Sequence, residues 1–189
     1  MIRKTLTSLA LIGVTGAAIA VASFGGTAFA SPTAEAIPGV ENASILVACT
    51  SNGPDESHTG AQILARGKSW ITERVPYSQT TCHHNANGTY RQDCSGFVSM
   101  AWGLKDSHWT GNIREVSHSI SKRDMKPGDA FWVHNSSHQH MGLFVKWVGA
   151  AGGAAIVYEE SHSGTVAHQS TWSASRVAEF TALRYNHYR

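Results

Sequence analysis

One cysteine stands where its thiol could act as a nucleophile. Cys94 follows an acidic residue, precedes two small ones and opens an apolar run that extends to Trp102. The run has the length and one-sided character of a short buried helix that Gly103 would end. Unpaired N–H groups and the helix dipole favour a thiolate at a helix N-terminus, and the thiolate is the reactive form of cysteine. The same pattern also fits a buried structural thiol or half of a disulfide.

A histidine further along the chain supplies a base for such a thiol. Residues 125–133 predict a turn that leads into a strand, and residues 138–148 predict a long apolar strand whose first residues include His140. A cysteine and a later histidine on separate elements form the arrangement of a nucleophile and its base. The sequence therefore predicts a cysteine hydrolase site built from one helix and one strand.

Three motifs, in this order, resemble those of a known family. They are Asp-Cys-Ser-Gly-Phe-Val at 93–98, Lys-Pro-Gly-Asp at 126–129 and His-Met-Gly-Leu-Phe-Val at 140–145. Together they resemble the NlpC/P60 family of papain-like cysteine peptidases, roughly from Ala61 to Val166. The resemblance implies an α+β fold in which N-terminal helices pack on an antiparallel sheet. The order of predicted elements, helix first and strands later, agrees with this class.

The resemblance also implies a catalytic triad. Cys94 would be the nucleophile and His140 the base and acid, with a third group on the strand that follows the histidine strand. That group holds the second imidazole nitrogen, which fixes the tautomer and the ring orientation. The corresponding position falls on Glu159, but the register leaves Glu160 as an alternative. Because neighbouring residues of a strand face opposite sides, only one of them can point at His140.

The substrate implied by the resemblance is the stem peptide of peptidoglycan, cleaved at an amide bond through a thioester. Asp93 and Ser95 would contact the free amine of the substrate, and Tyr77 would lie beside the cleft unless it only packs under a loop. The bond usually cleaved in the family joins D-glutamate to a diamino acid. Residues 78–92 depart from the family motif, and their polar, turn-rich character predicts a long loop beside the cleft. The prediction includes no cofactor and no metal.

Two other readings compete with a cysteine peptidase. His134, His138 and His140 could bind zinc, because a catalytic zinc site needs three protein ligands and an open position. Alternatively, the chain is a secreted wall-binding module that keeps the scaffold without the chemistry, since fold does not imply function.

The start of the chain predicts export. Two basic residues precede an apolar run over 6–22, and Ala28-Phe29-Ala30 is a small-x-small cleavage site. We therefore expect a signal peptide at 1–30, a leader segment at 31–57 and a catalytic domain at 58–189 of a secreted, cell-wall-associated protein. No other stretch is long and apolar enough to span a bilayer. Leu46-Val47-Ala48-Cys49 also resembles a lipoprotein acceptor site, but the apolar run that such a site requires ends far upstream.

Three cysteines in an exported chain predict one disulfide and one thiol. If Cys94 is the nucleophile, the disulfide joins Cys49 to Cys82. That bridge would close a loop of roughly thirty residues and stabilise the fold by on the order of 3 kcal/mol. A bridge between Cys82 and Cys94 would instead block the nucleophile.

Charge excludes one class of partner. Of 15 basic residues, two lie in the predicted signal peptide, so the remaining chain has 13 basic and 13 acidic residues. No basic stripe is present, so we expect neither nucleic acid nor an anionic membrane surface as a partner. We expect a monomer.

The remaining elements must position the site. An amphipathic helix is predicted at 59–74 and ends before Pro76, and strands are predicted at 156–159, 165–168 and 180–188. Residues 107–121 carry no pattern that assigns them to an element.

Overall fold

The computed structural model describes residues 45–189. The predicted signal peptide and the first part of the predicted leader therefore lie outside the described residues. Within residues 45–189 the helices and strands follow in the order α1 (Gly60–Glu73), β1 (Ser78–Asn85), β2 (Gly88–Gln92), α2 (Cys94–Trp102), β3 (Ser117–Ile120), β4 (Ala130–His134), β5 (Gln139–Val148), β6 (Ala154–Glu159), β7 (His168–Trp172), α3 (Ala174–Ala178) and β8 (Thr181–Tyr185).

The strands form two sheets. Six of them make an antiparallel sheet in the order β3-β8-β4-β5-β6-β7, and β1 and β2 form a separate hairpin. The two long helices come before this sheet along the chain, so the predicted α+β class is confirmed.

Helix α1 has clear start and stop signals. Thr59 accepts a hydrogen bond from the backbone of Gln62, whose side chain in turn accepts one from the Thr59 N–H, which completes a capping box. Ile63 and Trp70 are buried on the inner face. Arg74 ends the helix in the left-handed region, with φ of 55°, two residues before Pro76. The predicted helix at 59–74 is confirmed.

Helix α2 is apolar and every one of its residues is buried. It packs between α1, the hairpin and β5, which places the first residue of the helix at the junction of these elements. Trp102, at its other end, donates a hydrogen bond of 2.9 Å from Nε1 to the carbonyl of Gly128. The predicted helix after Cys94 is therefore present, and burial on all sides holds it in place.

The Lys-Pro-Gly-Asp motif has a structural role here. Asp129 is fully buried and accepts hydrogen bonds from the backbone of Lys126 at 2.6 Å and from both Nε and Nη2 of Arg184 at 2.9 and 2.7 Å. The paired contacts with Arg184 are bidentate, the strongest form of such a pair. They fasten the turn before β4 to strand β8.

The sheet has apolar side chains on both faces. Adjacent residues such as Ala130 and Phe131 belong to different clusters, as the alternation of a strand requires. The larger cluster lies between the sheet and the two long helices, and the smaller one includes Trp172, Val177 and Phe180.

Three local predictions were wrong. Residues 78–92 form a hairpin instead of a loop, because Ala86 and Asn87 make a two-residue turn before Gly88 at φ of 113°. The strand expected at 165–168 begins only at His168 and continues to Trp172. The segment 107–121, left unassigned, contains a short 3-10 helix (Ile113–Glu115) and most of β3.

The described part of the predicted leader is hydrogen-bonded to the domain. Backbone N–H groups of Val47, Asn52 and Glu56 donate to the carbonyls of Gln79, Lys105 and Gly103, respectively. Among residues 45–189, no helix has the length and hydropathy needed to cross a membrane.

Candidate active site

The site is organised around the start of α2. Cys94 is the first residue of the helix, 2% of its surface is exposed, and it remains a thiol. Asp93 is the N-cap, and its Oδ1 accepts a hydrogen bond of 2.8 Å from the Gly96 N–H. The cap fixes the first turn, and with it the position of the thiol at the positive end of the helix dipole.

An arginine that sequence reasoning did not single out holds this N-cap. Arg91 is 3% exposed, and its Nε donates to Oδ2 of Asp93 in a buried ion pair. Its Nη2 donates to Ser95 Oγ at 3.0 Å and to the His108 carbonyl at 2.9 Å. Asp93 and Ser95, the residues expected to contact the amine of the substrate, are both fully buried. An amine would reach them only if Arg91 moved.

His140 and Glu159 form a buried pair. His140 lies near the start of β5, and its Nε2 is 2.8 Å from Oε2 of Glu159 at the end of β6. The two residues are 3% and 1% exposed. The ring of His140 also packs against Trp172 and Phe180, with centroids 5.7 and 6.1 Å away. The contact shows which of the two glutamates faces the histidine.

Glu159 receives four donors. Besides His140, Arg176 Nη2 donates to Oε2 at 3.1 Å, while Trp172 Nε1 at 2.8 Å and the Ser170 hydroxyl donate to Oε1. Burial alone raises the pKa of Glu159, but the hydrogen bond and charge of His140, with those from Ser170 and Trp172, outweigh it and lower the pKa to about 2.

The ionised state of Glu159 determines the tautomer of the histidine. A carboxylate only accepts hydrogen bonds, so the nitrogen that faces it, Nε2 of His140, carries the proton. In a neutral imidazole Nδ1 is then the acceptor, which is the nitrogen that a general base needs.

Cys94 and His140 lie on elements that pack against each other, α2 and β5. Among the contacts within residues 45–189, no hydrogen bond joins the Cys94 thiol to His140, whereas the bond from His140 to Glu159 is in place. Catalytic hydrogen bonds often tighten only when the substrate binds.

Glu160 differs sharply from its neighbour. It is fully buried, and neither of its carboxyl oxygens has a hydrogen-bond partner among the described residues. Burial, with a smaller contribution from the charge of Asp93, raises the pKa of Glu160 to about 10. Its carboxyl is therefore neutral at physiological pH and near the N-cap of α2.

Tyr77 lies at the entrance to the hairpin and is half-buried. Its backbone N–H donates to the Thr165 carbonyl at 3.0 Å, and its hydroxyl accepts a hydrogen bond of 3.0 Å from Gln79. These contacts tie the strand β1 side of the domain to the segment that follows β6.

The three histidines of the zinc reading are not gathered. Nδ1 of His134 contacts the Thr110 hydroxyl at 3.0 Å, and the ring of His138 packs against Phe180. His140 is bound to Glu159 instead. Within residues 45–189 no group of three or more His, Cys, Asp or Glu side chains is placed to hold a metal ion.

A cavity of about 380 Å³ opens on the side of the His140–Glu159 pair. Its wall contains both residues of the pair and further polar side chains: His138, Ser161, His162, His168, Ser170 and Arg176. Donors and titratable groups therefore dominate its surface.

The disulfide joins Cys49 to Cys82, with Cα atoms 5.9 Å apart. This confirms the pairing expected from the resemblance and leaves Cys94 outside the bridge.

Comparison with known proteins agrees with the fold. The model of the NlpC/P60 family matches residues 76–181. Similar solved structures include an NlpC/P60 family protein from Bacillus cereus, 16% identical over 69% of this chain and 41% of that chain, with a TM-score of 0.50. Another is the peptidoglycan hydrolase RipB from Mycobacterium tuberculosis, 21% identical over 65% of this chain and 62% of that chain, with a TM-score of 0.46. The curated proteins contain no match to the sequence.

Proposed function

Because the chain belongs to the NlpC/P60 family, we propose that it is a secreted cysteine peptidase that hydrolyses an amide bond in peptidoglycan stem peptides. The observation that carries the proposal is the buried His140–Glu159 pair, in which an ionised carboxylate leaves Nδ1 of the imidazole as the base. Cys94, at the start of α2, is the matching nucleophile. The disulfide agrees with an oxidising compartment outside the cytosol.

The reaction proceeds in two steps. The Cys94 thiolate attacks the amide carbonyl, its own backbone N–H at the helix start helps to hold the oxyanion, and His140 gives a proton to the departing amine. The resulting thioester is then hydrolysed by water that His140 activates. Glu159 stabilises the imidazolium and keeps the ring oriented.

The proposal assigns the amine end of the substrate to Tyr77, Asp93 and Ser95. Because Arg91 pairs with the Asp93 carboxylate, the aspartate also acts through the helix cap that positions Cys94. Peptides with and without a free N-terminal amine would measure how far these residues read that group.

The test is digestion of purified peptidoglycan by the mature protein and its variants, with the fragments identified by mass. We expect Cys94→Ala and His140→Ala to lose cleavage, whereas His118→Ala, a change at an exposed histidine on β3, should retain it. A Cys94→Ala protein that cleaves as fast as wild type would exclude the thioester mechanism. If the wild type binds the wall without cleaving it, the non-catalytic module is the better account.

A further inference from the structure

The cavity beside His140 has the chemistry of an anion site. The charge of Glu159, the one carboxylate in its printed lining, is directed to four donors and is therefore not presented to a ligand. The side chains that remain to face a ligand are Arg176 and the imidazoles of His138, His162 and His168.

Arg176 is the strongest donor of this set. Its guanidinium stacks over Trp172, 4.1 Å from the ring centroid, and only Nη2 is used for Glu159. Among the described residues, no acceptor takes the hydrogens of Nε and Nη1. The side chain is 42% exposed, so these donors can reach a ligand in the cavity. A guanidinium fixed by stacking offers a planar fork that matches a carboxylate.

Two histidines can add positive charge. Nδ1 of His162 contacts the Ser163 carbonyl at 2.9 Å, and Nδ1 of His168 contacts the Val166 carbonyl at 2.7 Å. Since a carbonyl only accepts, both Nδ1 atoms carry hydrogen, and each Nε2 becomes a donor when the ring is protonated. An anion in the cavity favours that form.

The position of the cavity relates it to the leaving group. His140 and Glu159 form part of its wall, and His140 is the residue that hands a proton to the departing amine in the proposed reaction. The fragment that carries this amine must therefore pass over His140. A volume of about 380 Å³ lies in the range of ligand pockets and can hold one amino-acid residue.

We propose that this cavity binds a carboxylate on the residue that supplies the departing amine, with Arg176 as its main donor. The inference rests on the proposed function. It names the substrate class as stem peptides whose diamino acid carries a free side-chain carboxylate, in preference to those in which that group is amidated.

The test uses two peptides that differ in that group alone: L-alanyl-γ-D-glutamyl-meso-diaminopimelate and the same peptide with the side-chain carboxyl as a carboxamide. We expect wild type to prefer the carboxylate peptide in kcat/KM by about tenfold or more, the effect of a charge-assisted hydrogen bond. Arg176→Gln should bring the ratio close to one, and Arg176→Lys should restore part of it. A rate loss shared by both peptides would report only the contact of Arg176 with Glu159.

The matched control is Arg123→Gln, which removes an exposed arginine of the short 3-10 helix Lys122–Asp124 and should leave both rates unchanged. Equal cleavage of the two peptides by wild type would overturn the inference and leave the proposed function standing.

A binding measurement separates the two failures. Calorimetry with the Cys94→Ala protein should show tighter binding of the carboxylate peptide, and adding Arg176→Gln should abolish the difference. If wild type cleaves neither peptide but this preference is observed, the proposed function fails and the anion site remains. Equal affinity of Cys94→Ala for both peptides would overturn the anion site.

Discussion

At the residue scale, two adjacent glutamates acquire opposite properties. Glu159 accepts hydrogen bonds from four side chains, which lowers its pKa to about 2, whereas Glu160 has no partner among the described residues and its pKa rises to about 10. Both are buried, so burial alone does not decide the charge. The difference comes from the donors that each strand face supplies.

We expect Glu159→Gln to weaken both catalysis and stability. The amide loses the charge that supports the imidazolium, so the rate should fall by about 100-fold, less than for Cys94→Ala or His140→Ala. Because the pKa of Glu159 falls from 4.5 to about 2 on folding, its ionisation stabilises the fold above pH 4.5 by about 3 kcal/mol. That contribution disappears as the pH falls through about 2.

Chemical denaturation between pH 2 and 7 measures this effect. The stability difference between wild type and Glu159→Gln should be largest at pH 7 and should narrow below pH 4.5. A difference that is independent of pH would show that lost packing, and not lost charge, causes the change.

The opposite sign is expected for Glu160→Gln. A pKa raised from 4.5 to about 10 means that folding must keep the carboxyl protonated, which costs about 3 kcal/mol at pH 7 and nothing well below pH 4.5. The variant should therefore gain stability relative to wild type as the pH rises from 5 to 9. Glu160→Met tests the same point without a buried amide. A wild type whose stability exceeds that of both variants throughout this range would contradict the pKa shift.

At the element scale, the position of the nucleophile depends on a close approach between β2 and α2. A Cβ on Gly96 would lie 2.0 Å from the Arg91 carbonyl oxygen and 2.8 Å from Oδ1 of Asp93. Only glycine fits there, because the obstacle is largely backbone and cannot move like the end of a side chain. The second glycine of the motif thus lets the end of the hairpin press against the start of the helix.

Gly96→Ala should therefore destabilise the protein by about 3 kcal/mol or more, at the upper end of overpacking effects. The alanine would push Arg91 from the N-cap, so the reactivity of the Cys94 thiol should fall as well. Gly153→Ala, in an exposed turn where the nearest atom is 3.0 Å away, is the matched control and should be mild. Thermal unfolding and thiol labelling of the two variants would decide, and equal behaviour would refute the steric argument.

The sequence was informative where local signals and family motifs agree. The capped helix α1, the apolar helix after Cys94 and the strand that carries His140 all follow from such signals and are present. The hairpin at 78–92 was missed because its pairing is irregular, with a register shift between Ser78 and Cys82, and its side chains do not alternate.

The supporting residues of the site could not be predicted in the same way. Arg91, Ser170, Trp172 and Arg176 reach the site through tertiary contacts, and no motif marks them. Correct placement of β7 would have helped: Ser170 and Trp172 alternate on one face of that strand, beside the strand that carries Glu159.

At the scale of the whole molecule, the ends of the described chain are joined to its centre. The N–H of Arg189 donates to the His58 carbonyl, and the Tyr185 hydroxyl donates to the Glu56 carbonyl at 2.8 Å. The disulfide adds a covalent link from residue 49 to the hairpin that flanks α2. The expected domain boundary between residues 57 and 58 therefore falls next to a segment with many contacts.

We expect the stable folded unit to start by residue 45. A protein that begins at residue 58 loses the disulfide and the backbone hydrogen bonds of Val47, Asn52 and Glu56, whereas one that begins at residue 45 keeps them. The bridge spans 33 residues and contributes about 3 to 4 kcal/mol in the chain-entropy model, so the shorter protein should be less stable by at least that amount. Cys49→Ser in the longer protein removes the bridge alone and separates its contribution from that of the hydrogen bonds. Urea denaturation of the three proteins under oxidising conditions gives the comparison: a protein starting at residue 58 that is as stable as one starting at residue 45 would place the boundary at 58, and the segment would then be a leader.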